Sequence, residues 1–395
     1  MAINLITIIN LVIDISIFGI VTLSLNLEVG FTGIPQFGRV IAVIVGAFTA
    51  GSIPGRVMAF LWGIPDAELY ADGPHNVVIV ANINSILASN PLIAIIYMLS
   101  SLILAAIVGA IVGWLTSRPA VRLKEAYLGI SLLAFGDILM FIGINYNPIV
   151  GGTIPVMVPD PFAWVWGPMR SIAYAVVTAL LMGFVLFLLY RLTKSPFGRS
   201  LKMLRDNELT SNVYGKDTVK VRTTSLVIGS MIASIAGAIY VMFIGAANSQ
   251  AFSRLNWTFY PWAYLMLGGV ANNFGILIGV TFFIIARTAI IISKPFLVAI
   301  GVPFEPIWLE YTLAGAVMIV VVLFKPRGLI PEKPETSMST ERIHEIVARL
   351  NGQDVGPAED QAAPSQTTDA SEGTVTDNQN KEGTSNPRTP PDSVG

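Results

Sequence analysis

Residues 196–215, PFGRSLKMLRDNELTSNVYG, form the longest charged interruption in the first 330 residues, with long apolar segments on both sides. From Arg191 to Arg222 there are 8 basic residues against 3 acidic ones. By the positive-inside rule this loop is cytoplasmic. Pro196 starts a helix that the glycine at 215 ends. Leu201, Leu204, Thr210, Ser211 and Tyr214 sit among charges, so the helix is amphipathic with only a modest apolar face. A helix lying in lipid would show a larger one. A short helix with a small-residue surface suits docking into a groove of another protein.

The flanks fix the fold class. The chain has 395 residues, 53% hydrophobic and 12% charged, with a mean hydropathy of +0.67. Soluble domains carry about a quarter charged residues, so this is an all-α integral membrane protein in contact with the lipid bilayer. The totals of 24 basic and 25 acidic residues divide unevenly. Residues 331–395 hold 5 and 12, leaving 19 and 13 for residues 1–330. The membrane part is therefore +6 and the tail −7. The absence of cysteine excludes disulfides, cysteine zinc sites, iron–sulfur clusters and thiol catalysis.

A span needs about 20 mostly apolar residues. Stretches of that kind occupy residues 3–25, 40–62, 91–115, 126–144, 171–192, 223–244, 276–292 and 307–324. Residues 259–270 add a short leg, either a full pass or a half-membrane dip, before the turn GGVANNFG. The expectation is a polytopic bundle of about eight membrane segments with a cytoplasmic helix at 196–215. Arg39 and the cluster Arg118, Arg122 and Lys124 are placed inside and Trp62 outside, which puts the N-terminus outside. The first segment has no basic leader and reads as a retained helix. Residues 66–90 form an external loop with a surface helix over 76–88. Between the first two spans, NLEVGFTGIPQFGR is either a tight turn or broken backbone at membrane depth, which survives only when buried in protein or lining a wet cavity. Residues 331–395 make an acidic cytoplasmic tail, with a short helix over 339–351 followed by disorder.

Enzymatic chemistry has little to stand on. Gly215-Lys216 is followed by Asp217 where a phosphate loop needs Ser or Thr. The only histidines are His75, in a Pro/Gly loop, and His344, in the tail helix. No cofactor and no nucleic acid are expected. The informative residues are polar ones inside spans, which are costly there: Asp14, Asp137 and Arg287. Each either pairs across helices and fixes packing, or serves the path. Gly229, Ser230, Ser234 and Gly237 let helices approach closely. Gly268, Gly269, Asn272, Asn273 and Gly275 suit either a path-lining turn or a plain helical hairpin.

Over most of residues 20–330 the chain resembles the branched-chain amino acid ABC transporter permeases, the LivM-type subunit. SPFGRSLKMLRDNELTSNVYG is similar to the family's S-P-F-G-R-x-L-x-x-x-R-D/E-x-E loop. LSLNLEVGFTGIPQFGRV resembles its N-L-x-x-G-Y-x-G segment, RPAVRLKEAYLGISLLAFGDI its R-L-x-G-x-Y-L-A-I-x-T-L-A-F-x-E stretch, LMLGGVANNFGILIGV its glycine-rich hairpin, and VLFKPRGLI its closing F-R-P-x-G-L. The resemblance implies a plasma-membrane importer of branched-chain amino acids. A sister permease, two cytoplasmic ATPases that bind the ATP, and an extracytoplasmic substrate-binding protein would complete it. Pro196, Phe197, Gly198, Arg199, Arg205, Glu208, Thr210, Ser211 and Gly215 would couple to the ATPase. Asn26, Gln36, Asp137, Gly268, Gly269, Asn272 and Asn273 would serve the path. The small pair and glycine of the family's E-A-A-x-x-x-G coupling motif are kept in kind, but the glutamate is displaced to Glu208. Arg39, Ile276 and the long tail are further departures. The rival readings are a urea or short-chain amide importer of the same family and an ion-coupled secondary carrier using Asp14 and Asp137.

Overall fold

The structure is a computed structural model that describes residues 5–123, 125–299 and 307–332. The predicted tail helix at 339–351 lies outside the described residues. Long apolar runs form α1 (Leu5–Asn26), α2 (Arg39–Leu61), α4 (Pro91–Arg122), α5 (Glu125–Asn145), α7 (Met169–Lys194), α10 (Thr218–Ile244) and α12 (Asn273–Ala299). These seven are long and apolar enough to cross a membrane. The last predicted span is α13 (Ile307–Phe324), whose apolar part, Trp308–Val321, is shorter. The polytopic all-helical expectation therefore holds, at seven long spans plus this one.

Shorter elements fill the ends. α3 (Gly73–Ser89) is the expected surface helix, burying Asn76, Ile79, Val80, Ile83 and Leu87. α6 (Asn147–Val150) leads to β1 (Val156–Met157), which pairs antiparallel with β2 (Ala246–Ala247). That bridge ties the loop after α5 to the end of α10. Asp160 staples the same loop. Its carboxylate accepts hydrogen bonds from the Phe162 amide and the Tyr174 hydroxyl, and it pairs with Arg170.

The centre of the bundle is α10, packed between α4 and α2. Small residues allow this, because helices in lipid associate by close packing and polar contacts. A Cβ on Gly237 would sit 2.0 Å from the Val43 carbonyl oxygen, and one on Gly113 2.7 Å from that of Leu226. The Ser234 hydroxyl donates to the Ala42 carbonyl at 2.7 Å. The predicted small-residue face of this span thus serves close approach on two sides. α1 packs on α7, α10 and α12. Its Phe18 joins an aromatic nest with Trp257, stacked at 5.0 Å, and Tyr264.

The residues around 259–270 make a short leg. A π-helical turn, Leu255–Phe259, runs into α11 (Tyr260–Gly268). At 1.5 Å per residue these fall well short of a bilayer's roughly 30 Å core, as a half-membrane dip requires.

Gly237→Ala should force α2 and α10 apart and cost about 1–3 kcal/mol, the usual penalty for overpacking. Gly183→Ala, in α7 with nothing near its Cβ position, should be neutral or slightly stabilising. Thermal unfolding of the two purified variants in detergent checks the contrast.

Candidate coupling and translocation site

The loop at 196–215 folds as two helices, α8 (Pro196–Asp206) and α9 (Glu208–Val213), where the sequence suggested one. The break is Asn207, which is extended and turns its side chain to cap α9, accepting from the Thr210 amide at 3.0 Å. Asparagine competes with the helical backbone in this way and so favours caps. Ser195 caps α8 and Pro196 occupies its first turn. Leu201 and Leu204 form the buried face, and Gly198 lies against the Thr193 carbonyl. The stop falls at Gly215 as expected, in left-handed backbone. Pro196 and Arg199 are exposed and Phe197 is half-buried.

α9 presents an apolar cap. Leu209, Val213 and Tyr214 are 78%, 86% and 71% exposed, and Thr210 lies among them exposed. Ser211, expected on the docking surface, is buried beneath. Glu208 pairs with Arg222 of the same chain at 2.9 Å, so its carboxylate is engaged internally. Sequence reading passed over Leu209 and Val213 because a single long helix spreads them among charges.

Arg205 makes a joint on the inner side of α8. Its guanidinium donates to the Gly30 carbonyl at 2.8 Å and to Glu332 at 2.9 Å. Lys202 reaches Glu332 at 3.4 Å. Burial works against the Arg205 charge, but the Glu332 and Asp206 carboxylates outweigh it and raise its pKa above the usual value. Residues 325–332 return along the hairpin turn, with the Leu329 and Ile330 amides donating to the Leu267 and Gly268 carbonyls. Gly269 has φ +116°, and a Cβ there would meet the Ile330 carbonyl oxygen at 2.2 Å. Asn272 donates to the Ile330 carbonyl at 3.3 Å and caps α12 by accepting from the Phe274 and Gly275 amides.

The segment between α1 and α2 is broken backbone packed inside protein. It begins as a π-helical turn, Leu27–Phe31, and continues irregularly to Arg39. The fully buried Asn26 donates to Asn273 Oδ1 at 2.8 Å and accepts from the Ala271 amide at 2.9 Å. Buried Gln36 turns back to accept from the Gly38 amide, and its carbonyl accepts from Trp262. Asn26 and the turn Gly268–Asn273 therefore meet in one cluster beside the coupling helices. Gln36 lies on the same broken segment, and Asp137 stands apart on α5.

The partner of Arg39 was not foreseen. Placed on the inner side by counting spans, Arg39 is fully buried at the start of α2 and ion-paired with Glu28, also fully buried. Its guanidinium also donates to the Gly229 carbonyl at 3.0 Å. A Cβ at 229 would sit 2.0 Å from the Glu28 carboxylate, so glycine there leaves room for the pair. A neighbouring acid takes the place of water around this cation. A glutamate and an arginine flanking a glycine-rich break in so apolar a chain were the available signal. Likewise Arg287 pairs with Glu310 of α13 at 2.5 Å, Tyr260 donates to Glu310 at 3.0 Å, and Asp14 faces this group within Coulombic reach of Arg287. Asp137 is paired with Arg254 at 3.0 Å.

A bundle of seven long apolar helices with a charged loop between two of them defines a polytopic all-helical membrane protein. The family model described as "Branched-chain amino acid transport system / permease component" matches residues 7–322, and the chain belongs to this family. It is 39% identical over 324 residues to a probable branched-chain amino acid transport permease protein LivM of Methanocaldococcus jannaschii, covering 80% of this chain and 91% of the relative. It is 24% identical over 254 residues to the high-affinity LivM permease of Escherichia coli, covering 58% and 56%. A shorter match, 26% over 152 residues, is to an autoinducer 2 import system permease of Photorhabdus laumondii, covering 38% and 43%. No solved structure matches.

Replacing either member of the Glu28–Arg39 pair alone, by Glu28→Gln or Arg39→Met, should destabilise the protein by about 3–5 kcal/mol, because a buried charge is left alone. The double variant should recover most of the loss. Thermal unfolding of the three variants reads both effects.

Proposed function

We propose that this chain is the permease subunit of an ABC importer for branched-chain amino acids in the plasma membrane. It works with a sister permease, two cytoplasmic ATPases and an extracytoplasmic binding protein. The amino acid is the substrate named for the long, 39% identical relative. The autoinducer 2 relative shows that permeases similar to part of this chain carry other solutes, so the substrate reading leans on the longer match.

The observation that carries the proposal is the apolar cap on α9. Three large apolar side chains stand free in a charged cytoplasmic loop, where leaving them in water is unfavourable unless a partner covers them. Behind the cap, Arg205 bolts α8 to the α1–α2 break and, through Glu332, to the hairpin turn. ATP-driven closure of the ATPases would displace α9. The joint would pass that displacement to α1, α2 and the short leg ending at Gly268, and the path would open to one side. Asn26, Gln36 and the Gly268–Asn273 turn act in this reading where the moving parts meet, and Asp137 faces the path from α5.

Leu209→Glu with Val213→Glu should weaken ATPase binding by about 30-fold or more, the loss of a hot spot worth ~2 kcal/mol. Co-purification should fail, and amino-acid uptake into proteoliposomes holding the whole assembly with ATP should stop. Thr210→Arg should act in the same direction. Normal co-purification and uptake in these variants would assign the docking surface elsewhere. Uptake by this chain alone, without ATPases, would overturn the proposal.

A further inference from the structure

We infer that Asp137 and Arg254 form a binding point for the charged head of a zwitterionic substrate, with the adjoining face of α5 receiving its apolar side chain. The inference rests on the amino-acid importer reading above and names the residues that would hold the substrate on this subunit.

Asp137 lies near the middle of the Ala126–Asn145 span, so its carboxylate is at membrane depth. The Arg254 guanidinium is 3.0 Å from it and therefore at the same depth. Both side chains are open to the surroundings, at 30% and 54% exposure. The Glu28–Arg39 pair, both of whose side chains are 0% exposed, shows how this chain treats charges that serve packing. An open ion pair facing hydrocarbon would be far more costly than a shielded one. A face that carries one at mid-span is therefore wetted.

The backbone that delivers Arg254 is irregular. Between Gly245 and Arg254 the chain is not α-helical. It runs through β2, a 3₁₀ turn at Ser249–Ala251 and two unstructured residues. That turn packs against Gly143, near the outer end of α5. Arg254 then meets Asp137 about 9 Å further in, at 1.5 Å per residue of helix. Ala247, Ser249 and Phe252 of this stretch are buried in protein, whereas the Gln250 and Arg254 side chains on it are exposed.

The chemistry fits one class of ligand. A carboxylate and a guanidinium side by side match an α-ammonium and an α-carboxylate, each through charge-assisted hydrogen bonds. A partly exposed pair holds itself together weakly, so an arriving zwitterion can insert between the two groups and satisfy both. Phe141 and Asn145 continue the Asp137 stripe at helical spacing. With Ile138, Ile142 and Tyr146 they make an open, largely apolar face running from Asp137 to the end of α5. Aliphatic and aromatic walls beside a two-charge anchor suit a branched, uncharged side chain. A neutral amide would leave both charges unmatched.

The test uses the whole transporter in proteoliposomes, with leucine as the solute and co-purification of all subunits as the check on assembly. Asp137→Asn and Arg254→Gln should each cut leucine uptake about tenfold or more, the loss of a charge-assisted contact. The double variant should be no better than either single one. Restored uptake in the double variant would reduce the pair to a packing contact and overturn the inference, as would wild-type uptake in both single variants. If instead the unaltered assembly imports urea but not leucine, the importer reading itself fails, an outcome separate from either of these.

Discussion

Backbone groups at membrane depth must find partners inside the protein, and the break between α1 and α2 is where that demand is heaviest. Between Asn26 and Arg39 the chain leaves regular helix, and each group it frees recruits a different element. The Leu27 carbonyl accepts from Thr32, which also meets Ser225 of α10. The Gly30 carbonyl accepts from Arg205 of α8, and Asn26 binds the turn before α12. Arg39 crosses to the Gly229 carbonyl of α10 while pairing with Glu28. One local irregularity thus gathers α8, the central helix and the hairpin. The inner end of the bundle is organised by hydrogen-bond satisfaction as well as by apolar contact.

Much of the architecture was legible in the sequence because hydropathy and helix punctuation are local signals. The seven long spans, the surface helix α3, the short leg at α11 and the stop at Gly215 all lie where composition placed them. Partnerships were less legible. Glu28–Arg39 is close in sequence, but counting spans assigns Arg39 a side of the membrane and not a partner. Arg287–Glu310, Asp137–Arg254 and Arg205–Glu332 join residues far apart in the chain, and no periodicity announces which acid meets which base. Asn207 was missed for a subtler reason. A helix pattern runs through it, and only its capping bond to the Thr210 amide reveals that two helices meet there.

Charges inside this bundle take three forms. Glu28–Arg39 is sealed among small residues that leave room for it, as Gly229 does. Arg287–Glu310 is surrounded by tyrosines, with Tyr260 donating to the acid and lying beneath the guanidinium. Asp137–Arg254 stands open. Surroundings, not residue type, distinguish a pair that fixes helix positions from one free to exchange partners.

The joint on α8 has a consequence for biosynthesis. Lys202 and Arg205 emerge early, whereas Glu332 follows the last span. During vectorial translation the elbow must wait for that acid, so a polypeptide truncated just short of it would keep its spans but lack the clasp. The clasp is in this sense completed last, when synthesis has delivered the final hydrophobic segment.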